Sequence, residues 1–320
     1  MTASPRVVVF DPIPGDWSFA IEHAAFAHRG VELIVPPTRE AADEAIRDAT
    51  VVIVTGVRRL DATRIASLRD PAGILCYSIG MDKVDASAAR AAEIPVRNVP
   101  DYCTDEVSDH ALALLLAAER RIVPLATETA RRWRVEPTLV EPIRRLRGQT
   151  LGILGAGRIG RLVASKARAF GFRTIAHDPV VPDGGHPELE LVTFERLLER
   201  SDALVLCAAL TPSSRGVIGQ AALEKVRRGV IVVNVARGEL IDELALADAV
   251  QDGRVSYAAL DVRSPEPPEP ADDPLAGLPN VIGTPHIAAT SREAIDDLHH
   301  LAARYVLELL ETAGRIPAVA

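Results

Sequence analysis

Leu151-Gly152-Ile153-Leu154-Gly155-Ala156-Gly157-Arg158-Ile159-Gly160 is the stretch on which the fold of this 320-residue chain turns. An apolar run of strand character meets a G-x-G-x-x-G turn, and Val163, Ala164 and Ala167 then follow at helical spacing. The next apolar run, 173–176, ends at His177-Asp178-Pro179, at about the 20-residue distance where a dinucleotide fingerprint carries its acid. Each part has a physical task. The first glycine permits the tight turn, the second lets a pyrophosphate approach the backbone, and the third lets helix and strand pack closely. Arg158 and Ile159 open the helix, whose N–H groups and dipole hold phosphate. Asp178, followed by Pro179, can accept from both hydroxyls of an adenosine ribose, which favours NAD over NADP.

Outward from this turn, short β-branched runs alternate with helical patterns on both sides. Upstream lie runs at 6–10, 31–36, 51–55, 74–78 and 96–99, with helical patterns such as 17–28 and 41–47 between them. Downstream, 173–176, 203–206, 230–235, 255–260 and 281–283 continue the series. Continuous apolar strands separated by helices indicate parallel sheets covered on both faces. The fold class is therefore α/β, with two doubly wound halves. A fingerprint of this kind usually opens its domain, so a domain must precede it. The segment 101–122 has acids at its start (Asp105, Glu106) and arginines at its end (Arg120, Arg121), as a helix dipole favours. It is expected to cross into a cofactor domain spanning 101–289. A last helix at 291–311 would return to a discontinuous first domain, 1–100 and 290–320. The Pro-rich stretch 265–274 reads as a loop.

Composition narrows the function. Hydrophobic residues make up 48% and charged residues 25%, the usage of an ordinary globular protein. A net charge of −8 with no basic stripe argues against nucleic acid as a partner. No apolar stretch reaches membrane-spanning length, and no signal peptide is readable at the start. The three cysteines, Cys76, Cys103 and Cys207, lack metal-ligand spacing. Such an odd, sparse set fits a reducing cytosol better than a disulfide framework, so a cytoplasmic protein without a metal site is expected.

Three consecutive strands in the second half each end in a chemically useful residue. Asn234-Val235-Ala236-Arg237-Gly238 puts Arg237 past the run 229–233. Leu260-Asp261-Val262 ends the next strand, with Glu266 following in Pro265-Glu266-Pro267, and Thr284-Pro285-His286 closes the last. In open α/β sheets the carboxyl edge is where ligands sit. Arg is suited to a planar carboxylate, because its fork meets two oxygens at fixed geometry. His can donate a proton near neutral pH, and a carboxylate on its other nitrogen fixes the tautomer. Asp261 has open readings: a contact to the nicotinamide carboxamide or a tuning of the site, against a simple cap on the strand end.

Those motifs together resemble the D-isomer-specific 2-hydroxyacid dehydrogenase family, over most of the chain. The matching stretches are Asp82-Lys83-Val84-Asp85, Asn98-Val99-Pro100, 106–116, 155–160, 234–243, 260–267 and 284–289, with 99–107 most similar to the bacterial branch that resembles C-terminal-binding proteins. The resemblance implies a flavodoxin-like substrate domain and an NAD-binding Rossmann domain with a cleft between them, and a homodimer built mainly through the NAD-binding domains. It places the catalytic residues on Arg237, Glu266 and His286. Backbone amides of Ser78-Ile79-Gly80 would hold the carboxylate of a small 2-oxo or 2-hydroxy acid, together with Arg237 and His286. NAD contacts fall on Gly155, Gly157, Arg158, Ile159, Gly160, Asp178, Pro179, Cys207, Thr211, Val235, Ala236, Asp261 and His286.

The chain also departs from the family pattern. Ser78 stands for a usual Gly, Lys83 for Asn, Cys207 for His and Ala209 for Pro. Thr55-Gly56 occupies the place where phosphoglycerate dehydrogenases carry Arg-Ser, which argues against a phosphorylated substrate. Two other readings share the scaffold. Phosphite-type dehydrogenases keep a His–Glu pair. NAD-sensing corepressors carry a Trp three residues after the His, where this chain has Ala289.

Overall fold

The computed structural model describes residues 4–11, 18–133, 137–140, 143–181 and 189–318. The chain divides into two compact units, 1–102 with 291–320 and 103–290. In the first, β1 (Arg6–Val9), β2 (Glu32–Ile34), β3 (Val51–Val54), β4 (Gly73–Cys76) and β5 (Val96–Asn98) form one sheet in the order β2-β1-β3-β4-β5. All pairings are parallel. This is the flavodoxin-like order.

Alternation along the strands supplies two cores. Val7, Val9, Val51, Ile53 and Leu75 face one side, with Phe26, Val306 and Leu310. Val8, Phe10, Val52, Val54 and Ile74 face the other, with Ile46, Leu60 and Ile65. The helix Arg292–Thr312 belongs to the first side and carries the end of the chain back to this unit. Ser291 caps it, its side chain accepting from Ala294 N at 2.8 Å.

The second unit contains β6 (Thr150–Leu154), β7 (Arg173–His177), β8 (Glu190–Leu191), β9 (Ala203–Leu206), β10 (Val230–Asn234), β11 (Val255–Leu260) and β12 (Val281–Gly283). Their order is β12-β11-β10-β9-β6-β7-β8, again all parallel. The strand order reverses beside β6, between β7 and β9. That switch point is where a doubly wound sheet opens a crevice for ligands.

Several boundaries differ from the sequence pattern, for local reasons. The run 31–36 supplies only Glu32–Ile34, because Pro36 and Pro37 lack the N–H a ladder needs and constrain what precedes them. The helical pattern at 41–47 begins earlier, at Arg39, since Thr38 caps it by accepting from Ala41 N. The helix expected at 101–122 runs Thr104–Glu119. Arg121 takes φ of 55°, which ends that helical direction before Ile122–Arg131 starts a new one. The pattern at 17–28 forms Ala20–Ala27, and residue 17 lies outside the described residues. The two-residue β8 is too short to leave an alternating signature. Among the described residues no helix is long and apolar enough to cross a membrane.

Candidate active site

The glycine turn after β6 fits its three assigned tasks. Gly155 has φ of 99°, and a Cβ there would lie 2.7 Å from the backbone of Ala208. A Cβ on Gly160 would lie 2.0 Å from the Gly155 carbonyl, so only glycine lets the helix Arg158–Ala169 seat on its own turn. A Cβ on Gly157 would meet nothing within 4 Å. The exposed Gly157 backbone at the helix N-terminus is thus open to a phosphate, with the exposed Arg158 and half-buried Ile159 following it.

Asp178 stands at the end of β7 and is half-buried, and Pro179 is exposed. One Asp178 oxygen accepts from Ala156 N at 2.8 Å and the other from Val180 N at 3.0 Å. These bonds tie the acid to the glycine turn. A carboxylate has about four acceptor positions, so capacity remains for a ribose. Of the residues that follow, Pro182 and Asp183 lie outside the described residues. Cys207 sits directly after β9, where burial pushes its thiol up to about 12 and keeps it neutral. Thr211 is exposed and bonds with Ser213 and Ser214 in a short turn. These residues fit a dinucleotide held at the switch point.

The Arg, Glu and His are carried past the carboxyl ends of three adjacent strands, β10, β11 and β12. Asn234, fully buried, shapes the first turn: its amide donates to Arg237 O at 2.8 Å and its oxygen accepts from Ala236 N at 3.0 Å. Val235 is buried within that turn, and the Arg237 guanidinium reaches back to Ala236 O at 2.7 Å. Gly238 is required next, since a Cβ would lie 2.0 Å from Arg263 O.

His286 and Glu266 meet directly, Nδ1 to Oε2 at 3.0 Å. That contact leaves His286 Nε2 as the nitrogen available to a substrate. His286 is a non-glycine residue with φ of 53°, a conformation that costs about 1–3 kcal/mol and persists only where its surroundings over-determine it. Asp261 does so. Its backbone O accepts from His286 N at 2.8 Å, its Oδ1 accepts from Ile287 N at 3.0 Å, and its Oδ2 accepts from Ala288 N at 3.0 Å. The Thr284 hydroxyl donates to Oδ1 at 2.6 Å. The carboxylate, only 1% exposed, therefore holds the turn that carries His286.

Four contributors, His110, Arg263, Glu243 and Asp273, escaped the sequence pattern. His110 Nε2 lies 3.0 Å from Thr284 Oγ1 and 3.5 Å from Asp261 Oδ1. Its signal was a histidine on the same helix stripe as Val107, Ala111 and Leu114. Arg263 pairs with Glu243 at 2.8 Å and with Asp273 at 2.6 Å, bracketing the loop that presents Glu266. The Arg263 hydrogen bond holds the Asp273 carboxyl below the usual carboxylate range.

In the first unit, Ser78, Ile79 and Gly80 form a half-buried loop after β4. Ser78 O accepts from Val99 N at 3.1 Å, Ile79 O accepts from Asn98 Nδ2 at 2.6 Å, and Ser78 Oγ donates to Gly80 O at 2.8 Å. A trans peptide points its N–H opposite its carbonyl. The Ile79 and Gly80 N–H groups are thus turned away from β5, as an anion-gripping loop requires.

Residues 112–288 match the sequence profile described as D-isomer specific 2-hydroxyacid dehydrogenase, NAD binding domain. The chain belongs to this family. D-3-phosphoglycerate dehydrogenase of Archaeoglobus fulgidus is 37% identical over 291 residues, covering 90% of this chain and 54% of the relative. This chain thus spans about half the length of that curated relative, and of several like it. Glyoxylate reductase of Korarchaeum cryptofilum is 33% identical over 321 residues, covering 98% of this chain and 94% of its own. The crystal structure of a glyoxylate reductase from Paecilomyes thermophila superposes with a TM-score of 0.85 at 31% identity, over 97% of this chain and 96% of that one. As a member of this 2-hydroxyacid dehydrogenase family, the chain has an NAD-binding domain on a Rossmann-like fold.

Proposed function

We propose that this protein is an NAD-dependent oxidoreductase that interconverts a small D-2-hydroxy acid and its 2-oxo acid. The observation that carries the reading is the His286–Glu266 pair: His286 on the turn after β12 that Asp261 pins, Glu266 in the loop after β11, and β11 beside the strand that leads to the Arg237 turn. Gly155, Gly157, Arg158, Ile159, Gly160, Asp178, Pro179, Cys207, Thr211, Val235, Ala236, Asp261 and His286 would hold the cofactor, and bound NAD would accept or supply the hydride. Arg237 binds the carboxylate and draws electron density from the keto oxygen, and the Ile79 and Gly80 amides are the first unit's N–H donors for a carboxylate. In reduction, His286 Nε2 gives its proton to the oxygen that becomes the hydroxyl; in oxidation it takes that proton back. Glu266 holds the ring at Nδ1 so that Nε2 presents the proton.

The test is an NADH-oxidation screen over glyoxylate, pyruvate, hydroxypyruvate, 2-oxobutyrate, phenylpyruvate and 2-oxoglutarate, with NAD reduction by phosphite as a control. Turnover of at least one 2-oxo acid is expected. Turnover of phosphite alone, or of nothing, would overturn the reading. Glyoxylate heads the screen because two full-length relatives carry that activity in their names. Thr55-Gly56 in place of Arg-Ser disfavours a phosphorylated acid.

The same proposal includes a homodimer through the NAD-binding units and a cytoplasmic location. The helix Ile122–Arg131 buries no residue, and Ile122, Val123 and Trp133 are exposed at 54%, 45% and 92%. These are apolar side chains that a subunit interface would cover. Sedimentation at micromolar concentration should give twice the mass of the chain.

A further inference from the structure

A buried polar cluster in the first unit takes no part in the chemistry above. Glu22, on the helix Ala20–Ala27, is 0% exposed; Tyr77, the residue after β4, is 3% exposed; His299, on the helix Arg292–Thr312, is 6% exposed. The Tyr77 hydroxyl donates to Glu22 Oε1 and lies 2.6 Å from His299 Nδ1. His299 Nδ1 lies 2.8 and 3.0 Å from the two Glu22 oxygens. The Phe19 ring stands edge-on to both Tyr77 and His299, at 6.0 and 6.1 Å. Burial and the adjacent Glu22 carboxylate push the Tyr77 phenol above its ordinary range, so the hydroxyl stays protonated and remains a donor.

We infer that Glu22, Tyr77 and His299 are positioning residues for the Ser78-Ile79-Gly80 loop, setting where its amides meet the substrate carboxylate. Tyr77 is the residue from which the loop departs. Its backbone is fixed on one side by Tyr77 N donating to Val54 O at 2.8 Å, and its side chain is fixed on the other by the cluster. Downstream, Val99 N and Asn98 Nδ2 hold the two loop carbonyls. The loop is thus clamped at its root and along its length, and its amide directions follow.

The choice of polar groups supports placement over mere stability. Burying a charged or polar cluster costs desolvation, and apolar residues of similar volume often hold a core at least as firmly. What hydrogen bonds add is direction. Three groups from a helix, a strand end and a second helix converge at one point, so a shift of any element breaks a bond. Misplacing a binding group by about 1 Å can cost on the order of a hundredfold in rate. A loop that grips through backbone amides has no side chain to readjust, and its root must therefore be held.

This inference rests on the 2-oxo acid reading, and the experiment separates the two. Tyr77→Phe keeps the ring and leaves Glu22 paired with His299, so the core stays filled. It should raise KM for the best 2-oxo acid about tenfold, the scale of one lost hydrogen bond to a charged group. Loss in kcat should stay within about threefold, and NADH affinity should not change. His299→Leu should act in the same direction. His299→Asn, whose amide reaches from the Nδ1 position, should return KM to within about threefold of the unaltered enzyme. Amide exchange across 77–80 should quicken in Tyr77→Phe, with β1 and β3 unaffected. A working enzyme whose Tyr77→Phe variant melts lower with unchanged KM would overturn the inference alone. An unaltered protein that turns over no 2-oxo acid would overturn the functional reading and this inference with it.

Discussion

The carboxyl edges of the two parallel sheets are built from the same architecture and equipped in opposite ways. After β10, β11 and β12 the second unit presents side chains: Arg237, Glu266 and His286. Each sits on a turn held by another side chain, Asn234, Arg263 or Asp261. After β4 the first unit presents backbone amides, aimed by carbonyls that Val99 and Asn98 hold. Under the proposed function, one edge would move a proton and the other would only bind. The difference lies wholly in the loops, since both sheets are parallel stacks of apolar strands, and it illustrates why a fold alone does not assign chemistry.

That contrast makes graded expectations. The largest effect belongs to His286→Ala, which removes the only proton donor assigned to the site. A loss of roughly 10²–10⁴ in kcat is expected with NADH affinity nearly intact, measured by steady-state kinetics and cofactor titration. Retention of more than about a tenth of kcat would return His286 to an ordinary loop residue. Arg237→Lys comes next. An ammonium cannot reproduce the fork, and each lost charge-assisted bond is worth about 1.5–3 kcal/mol, so KM for the 2-oxo acid should rise roughly ten- to hundredfold. Unchanged 2-oxo acid kinetics would mean that Arg237 serves a surface contact instead.

Cofactor choice should show a comparable or smaller effect. Asp178 beside the glycine turn opposes the charge of a 2′-phosphate, and kcat/KM with NADH should exceed that with NADPH by roughly ten- to hundredfold. Equal use of NADPH would show that Asp178 serves the turn through Ala156 N and does not face the ribose. The smallest effect is expected in the first unit. Asn98→Ala removes one neutral hydrogen bond to Ile79 O, worth about 1 kcal/mol, so KM should rise about fivefold with little change in kcat. If Asn98→Ala cost as much as His286→Ala, the division between a binding edge and a proton-moving edge would fail.

Much of this was legible in the amino-acid order. The glycine turn, the buried β-branched runs and the strand-end Arg237, Glu266 and His286 all announce themselves within a few residues, because turn conformation and strand burial are set by near neighbours. The order of residues places Asp261 only at a strand end. What its carboxylate holds depends on Thr284, Ile287 and Ala288, which lie more than twenty residues away in sequence. The pairing of Glu22 with His299 spans 277 positions, and no local pattern signals it. Helix ends at Arg39 and Glu119 were displaced by a cap and by one left-handed residue, features that periodicity averages over.

The sequence by itself therefore determined the parallel α/β character, the cofactor turn and the kinds of group available for chemistry. Those depend on short-range sterics and on the spacing of apolar residues. The tertiary structure decided which polar groups meet: that Asp261 holds the His286 turn, that Arg263 brackets the Glu266 loop, and that a helix near each end of the chain closes on Tyr77. A buried hydrogen bond is specified by direction as well as by residue type, and direction exists only once distant segments have packed.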